Sequence, residues 1–147
     1  MLGKNKSTRI MVFGTFDGLH RGHLDFFKQA RKLAKKCFLI VSIARNSNVF
    51  KIKGSYPVFD EKKRMDLIKR LIKKHKLVDK VVLSGIKNYI PHIIRECPDI
   101  IALGYDQKAY VKNLKKDLKN KGMLIKIVRL NPYKENFFKN NLLKRKR

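Results

Sequence analysis

The sequence predicts an α/β fold: one doubly wound domain with a five-stranded parallel sheet and helices on both faces. Three observations carry that expectation. Short apolar, β-branched runs alternate along the chain with longer segments of helical period. The runs are almost continuously apolar, which fits strands covered on both faces and not strands with one wet face. Parallel neighbours joined by right-handed crossovers then set helices on both sides of the sheet, a Rossmann-like arrangement.

The elements follow in order. Residues 10–13 are the first apolar run, and residues 14–21 form a glycine-bearing loop after it. A helix is expected from about 22 to 36, with Phe27, Ala30 and Ala34 on one face. Residues 37–43 are the second strand, and residues 45–59 read as a basic loop containing Gly54 and Pro57. Asp60 is placed to cap a helix reaching about residue 74, with Met65, Ile68 and Ile72 directed inward. Residues 81–83 are the third strand, residues 90–96 a short helix, and residues 100–103 the fourth strand. A helix over about 110–121 aligns Val111, Leu114 and Leu118, and Gly122 closes it. Residues 124–129 are the last strand. The chain reads as a single domain over 1–147, with a core of about 8–130 and a basic flap or tail over 131–147.

Composition agrees with that plan. A chain of 147 residues with a 44% hydrophobic share can bury one continuous core. No apolar run approaches the roughly 18–20 residues that span a bilayer. The first residues are polar and basic, so a cytoplasmic protein is expected. Cys37 and Cys97 sit in apolar contexts without metal-ligand spacing and are expected to be buried thiols. The charge stands out: 37 Lys and Arg against 11 Asp and Glu, a net of +26. Nucleic acid, small polyanions such as nucleotides, or a generally lysine-rich surface would each account for it. Only Lys139 with residues 144–147 forms a dense cluster, and no stacking aromatics interleave with it. Nucleic acid is therefore not expected as the main partner.

Ligands of doubly wound sheets bind beyond the carboxyl ends of the strands, where the strand order reverses. The loop in that place after the first strand reads GTFDGLHRGH, residues 14–23. Gly14 allows backbone to approach a ligand, Thr15 adds a hydroxyl, and Gly22 leaves room for a bulky anion. His20 and His23, three apart at a helix entrance, share one face. The helix start adds amide donors and a positive dipole end, so a phosphate is the expected guest. Two imidazoles beside it suit stabilisation of charge growing on phosphate oxygens. One histidine packing or capping while the other faces solvent is the plainer alternative. A zinc site is not expected, because only Asp17 stands near the pair as a further ligand.

This segment resembles the signature of the HxGH nucleotidyltransferases, the cytidylyltransferase-like family. Lys51 and Lys53, before Gly54 and Pro57, resemble the family's basic loop after the second strand, and Arg64 its helix arginine. Gly104, Asp106 and Gln107, in LGYDQ, resemble its nucleotide-reading loop. The match covers most of residues 10–129, and within the family the layout is similar to the archaeal-type FAD synthases. Glycerol-3-phosphate cytidylyltransferases share the fold and the first motif. One departure concerns the tail, where Asn140 and Asn141 after Lys139 stand in place of the family's late serine- or threonine-rich loop.

The resemblance implies transfer of a nucleoside monophosphate from ATP or CTP to a phosphorylated acceptor, FMN being favoured, with release of pyrophosphate. His20 and His23 would be the catalytic donors, and Gly14, Thr15, Phe16, Gly22, Gly104, Asp106 and Gln107 would hold the nucleotide. Lys51, Lys53, Arg64 and Lys139 would hold the phosphates. Mg²⁺ would ride on the nucleotide phosphates with no carboxylate cage, and a homodimer is usual in the family. Solvated roles for Lys51 and Lys53, a surface role for Arg64 and a helix-capping role for Asp106 stay open. Two other classes compete: an inactive nucleic-acid-binding protein on the same fold, and an aminoacyl-tRNA synthetase fragment, for which the chain is too short.

Overall fold

A computed structural model describes residues 6–85, 89–107 and 113–133. The element order is β1 (Thr8–Gly14), α1 (Arg21–Arg31), β2 (Cys37–Ile43), α2 (Asn46–Lys53), α3 (Glu61–His75), β3 (Lys80–Leu83), α4 (Tyr89–Glu96), β4 (Ile100–Leu103), α5 (Leu114–Asn120) and β5 (Lys126–Arg129). All neighbours in the five-stranded sheet are parallel, in the order β3-β2-β1-β4-β5. The first three strands step one way from β1 and the last two the other way. The order therefore reverses between β1 and β4.

Alternation along the strands divides the interior into two layers. Ile10, Val12, Leu39 and Val41 face α1 and α3, packing with Phe27, Ala30, Ile68 and Leu71. Met11, Ile40 and Ile101 face the other way, against Ile90 and Ile93 of α4 and Leu114 and Leu118 of α5. Central strands buried on both faces explain why their sequences are apolar throughout.

Several boundaries differ from expectation. The segment expected as a basic loop contains α2, ended by Gly54 at φ +76 with its N–H bonded to the Phe50 carbonyl. Val49 is the buried residue of α2, and one inward side chain leaves almost no helical period to detect. Conversely, α1 stops at Arg31 instead of residue 36; Leu33 and Ala34 still pack on the core, which prolonged the apolar pattern beyond the helix. β5 starts at Lys126, and Leu124 ahead of it is 92% exposed. Asp60 does cap α3, accepting from the Lys63 N–H at 2.8 Å. Cys37 is half-buried, but Cys97, at φ +50 just after α4, is exposed and not buried as expected. Residues 110–112 and the whole segment from 134 on, with Lys139, Asn140 and Asn141, lie outside the described residues. No helix among the described residues is long and apolar enough to cross a membrane.

Candidate active site

Beyond the carboxyl ends of the strands lies a pocket of about 650 Å³, walled by the loops that follow β1, β2, β3, β4 and β5. That volume suits a small-molecule ligand. The parallel ladder continues into the loops, with Ala44 N–H on the Gly14 carbonyl at 2.9 Å and Leu130 N–H on the Leu103 carbonyl at 2.7 Å.

The two histidines organise the helix entrance. His20 is the N-cap of α1, and its Nδ1 accepts the Gly22 N–H at 3.0 Å. His23 turns back, and its Nδ1 accepts the His20 N–H at 3.3 Å. The rings stack with centroids 3.8 Å apart and planes at 25°. A neutral imidazole whose Nδ1 accepts carries its proton on Nε2, so this geometry assigns the Nε2–H tautomer to both rings. Burial, and then the adjacent His20, lower the His23 pKa to about 4. Both residues line the pocket, each with its Nδ1 taken by a backbone N–H. The expectation of open amides at the helix start changes with it. The Gly22 N–H serves His20 Nδ1 and the His23 N–H serves the His20 carbonyl at 3.0 Å. Donor capacity there has passed from those amides to the rings.

The residues beneath the histidines are packed. Phe16, at φ +52 and 5% exposed, belongs to the core and meets His23 edge-on with centroids 5.3 Å apart. A Cβ on Gly14 would lie 2.6 Å from the Phe16 ring, so this glycine is required by the ring beside it. Asp17, considered above only as a metal ligand, accepts the Val58 and Phe59 N–H groups at 2.6 and 2.8 Å and ties the loop after β1 to the one before α3. Sequence gave no sign of that partner.

Arg64, expected to hold a phosphate, is fully buried. Its Nε donates to the Phe59 carbonyl at 3.0 Å, its Nη1 to the carbonyls of Thr15 and Ala44 at 2.8 and 2.7 Å, and its Nη2 to Asn46 Oδ1 at 2.7 Å. Four donations are thereby committed within the protein, and Arg64 is not among the residues walling the pocket. Burial lowers its pKa, against the opposing pull of Asp17, Glu61 and Asp60.

Of the two lysines, Lys53 reaches the pocket wall and Lys51, exposed on the same last turn of α2, does not. Gly104, Asp106 and Gln107 all join the wall. Gln107 is occupied internally: its Oε1 accepts the Gly104 N–H at 2.9 Å and its Nε2 donates to the Phe13 carbonyl at 2.8 Å. Asp106 is exposed at the wall. The wall also includes Tyr105, an aromatic beside the predicted site, and Ser42, Ile52, Ser84 and Asn131, which motif reading passed over. The sequence signal of these four was only position: Ser42 near the end of β2, Ser84 and Asn131 beyond β3 and β5, and Ile52 within α2. Ser42 is buried and shares a 2.7 Å hydrogen bond with His92 Nε2 of α4. Gln29 of α1 holds the chain that follows β5 through both its amide atoms, to the Asn131 carbonyl and N–H at 2.9 Å each. Among the described residues no three His, Cys, Asp or Glu side chains form a group that would hold a metal.

A family model described as cytidylyltransferase-like matches residues 11–143. The chain is 38% identical over 125 residues to an FAD synthase of Thermoplasma volcanium, covering 85% of this chain and 83% of that one. It is 41% identical over 128 residues to an FAD synthase of Methanosarcina barkeri, covering 87% and 86%. The crystal structure of a lipopolysaccharide core biosynthesis protein from Thermoplasma volcanium is similar with a TM-score of 0.76 at 37% identity, over 87% of this chain and 99% of that one.

Proposed function

The chain belongs to the cytidylyltransferase-like family and is a nucleotidyltransferase, and from that premise we propose that it works as an FAD synthase, joining AMP from ATP to FMN and releasing pyrophosphate. The observation that carries the chemistry is the pair of back-bonded imidazoles, each with Nδ1 on a backbone N–H and Nε2 left as donor at the pocket wall. The relatives named FAD synthase favour FMN as acceptor. So does the wall itself: Ile52 and Tyr105 are 55% and 45% exposed there. A flavin ring would cover such apolar surface, and a glycerol acceptor would not.

In this reading an oxygen of the FMN phosphate attacks the α-phosphorus of ATP in line. The new P–O bond forms as the bond to the bridging oxygen breaks, and pyrophosphate leaves with that electron pair. The acceptor phosphate is already anionic near neutral pH, so positioning and neutralisation of charge carry the rate without a general base. His20 and His23 donate from Nε2 to the phosphate oxygens as charge shifts onto them. Lys53 faces the phosphates, while Lys51 stays in solvent and Lys139 would act from the tail. Asp106 accepts from the ribose or base, and Arg64 holds the loops that shape the site. Mg²⁺, held by the nucleotide, would neutralise part of the phosphate charge. The wall carboxylates are Asp17, Asp25 and Asp106, and Asp17 already binds two backbone N–H groups. The ion would therefore be carried chiefly by phosphate oxygens.

The test is pyrophosphate release with ATP and CTP each crossed against FMN and glycerol 3-phosphate. The expected result is release with ATP plus FMN and formation of FAD. Turnover confined to CTP plus glycerol 3-phosphate would replace this proposal with the cytidylyltransferase one.

A further inference from the structure

Arg129 ends β5 on the protein surface and is not among the residues walling the pocket. A single nitrogen of its guanidinium nevertheless engages the loop after β4 at three points. Nη1 donates to the carbonyls of Gly104, Tyr105 and Gln107 at 2.8, 3.4 and 2.9 Å. A trans peptide unit points its carbonyl and the following N–H in opposite directions. Drawing the carbonyls of Gly104 and Tyr105 to Arg129 therefore turns the N–H groups of Tyr105 and Asp106 away from it. The opposite side of the loop is fixed by Gln107, which bridges the Gly104 N–H and the Phe13 carbonyl of β1. The loop is thus held between β5 and β1, across the point where the strand order reverses.

We propose that Arg129 is a positioning residue for the nucleotide: from outside the pocket it orients the Tyr105 and Asp106 peptide N–H groups as donors to acceptor atoms of the base or ribose. The proposal rests on the assignment of this pocket to a nucleotide. It explains why an exposed cation is directed at three carbonyls and pairs with no carboxylate in the described contacts. It also makes a distinction that bulk stabilisation does not. One nitrogen serves all three carbonyls, so a lysine ammonium with its three donors can replace it, while a neutral glutamine amide supplies neither the charge nor the reach.

The experiment compares Arg129→Ala, Arg129→Gln and Arg129→Lys with the unaltered protein. Affinity for ATP is measured by calorimetry and KM for ATP and FMN by turnover, with thermal midpoints recorded alongside. The expected result for the Ala and Gln variants is about a tenfold loss in ATP affinity, the scale of one or two misaligned hydrogen bonds. KM for FMN should stay within twofold, and Lys should recover most of the loss. Unaltered ATP affinity in Arg129→Ala overturns the proposal, and so does an equal rise in both KM values or failure of Lys to rescue. If the unaltered protein binds ATP but does not turn over FMN, the FAD synthase assignment fails and the calorimetric arm still decides the role of Arg129. If it binds neither ATP nor CTP, both fall together.

Discussion

His23 shows how one side chain serves fold and chemistry at once. Its Nδ1 caps the entrance of α1 and its ring covers Phe16, which leaves Nε2–H for a ligand. Replacing it with Ala should lower kcat by at least about 100-fold, the scale of losing a preorganised donor; activity near that of the unaltered protein in a pyrophosphate assay would remove His23 from the mechanism. The same burial sets a pH dependence. The folded state holds the His23 pKa near 4 against an ordinary 6.5, so between those values the unfolded chain binds more protons than the folded one. Stability from this group is complete above about pH 6.5, falls as pH drops through that window, and changes no further below about pH 4. Buried His92, whose pKa is also lowered mainly by burial, acts in the same direction. His23→Gln should therefore flatten the fall in thermal midpoint between pH 7 and 4 without abolishing it; an unchanged slope would contradict the shift. At this scale the sequence was legible where local spacing decides the outcome. The His20 and His23 spacing shows which residues share a helix entrance. It does not show that their rings take over the helix's own amides, because that depends on rotamers.

At the scale of elements, Arg64 links α3 to the loops after β1 and β2. Its acceptors come from Phe59, Thr15, Ala44 and Asn46, residues separated from it by 5 to 49 positions. A phosphate ligand and a buried clamp look alike in sequence, since both are an arginine early in a helix. Only the convergence of three loops tells them apart. The consequence is measurable. Arg64→Met leaves several carbonyls without donors and should destabilise the protein by about 3–5 kcal/mol in urea unfolding. Arg64→Lys should rescue little, because an ammonium lacks the planar fork that spans four acceptors. A variant with full stability and a selective loss of turnover would restore the phosphate role. The strands and α3 were legible because continuous apolar runs and an Asp cap are local signals. The helix α2 was not: Val49 faces inward while Phe50, Ile52 and Lys53 are all exposed, so no amphipathic stripe marks it. That hidden helix is what carries Lys53 and Ile52 to the pocket wall.

Over the whole molecule the net charge of +26 on 147 residues acts in two opposing ways. Like charges spread across a small surface repel one another and oppose the compact state, whereas the same positive field draws anionic substrates toward the pocket. Salt screens both over a Debye length of about 8–10 Å at 0.10–0.15 M. Raising NaCl from low to physiological strength should therefore increase the thermal midpoint while lowering kcat/KM for both ATP and FMN. The chemical step sits between groups in contact, where screening is weak, so kcat should change much less than kcat/KM. Opposite signs for stability and substrate capture distinguish a general field from specific ion pairs, whose loss in salt would lower both. Stopped-flow binding and thermal unfolding across one salt series decide the matter. A kcat/KM independent of salt would show that the basic surface does not steer these substrates. Tight binding of a nucleic acid duplex with a steep salt slope would then give that surface a different partner.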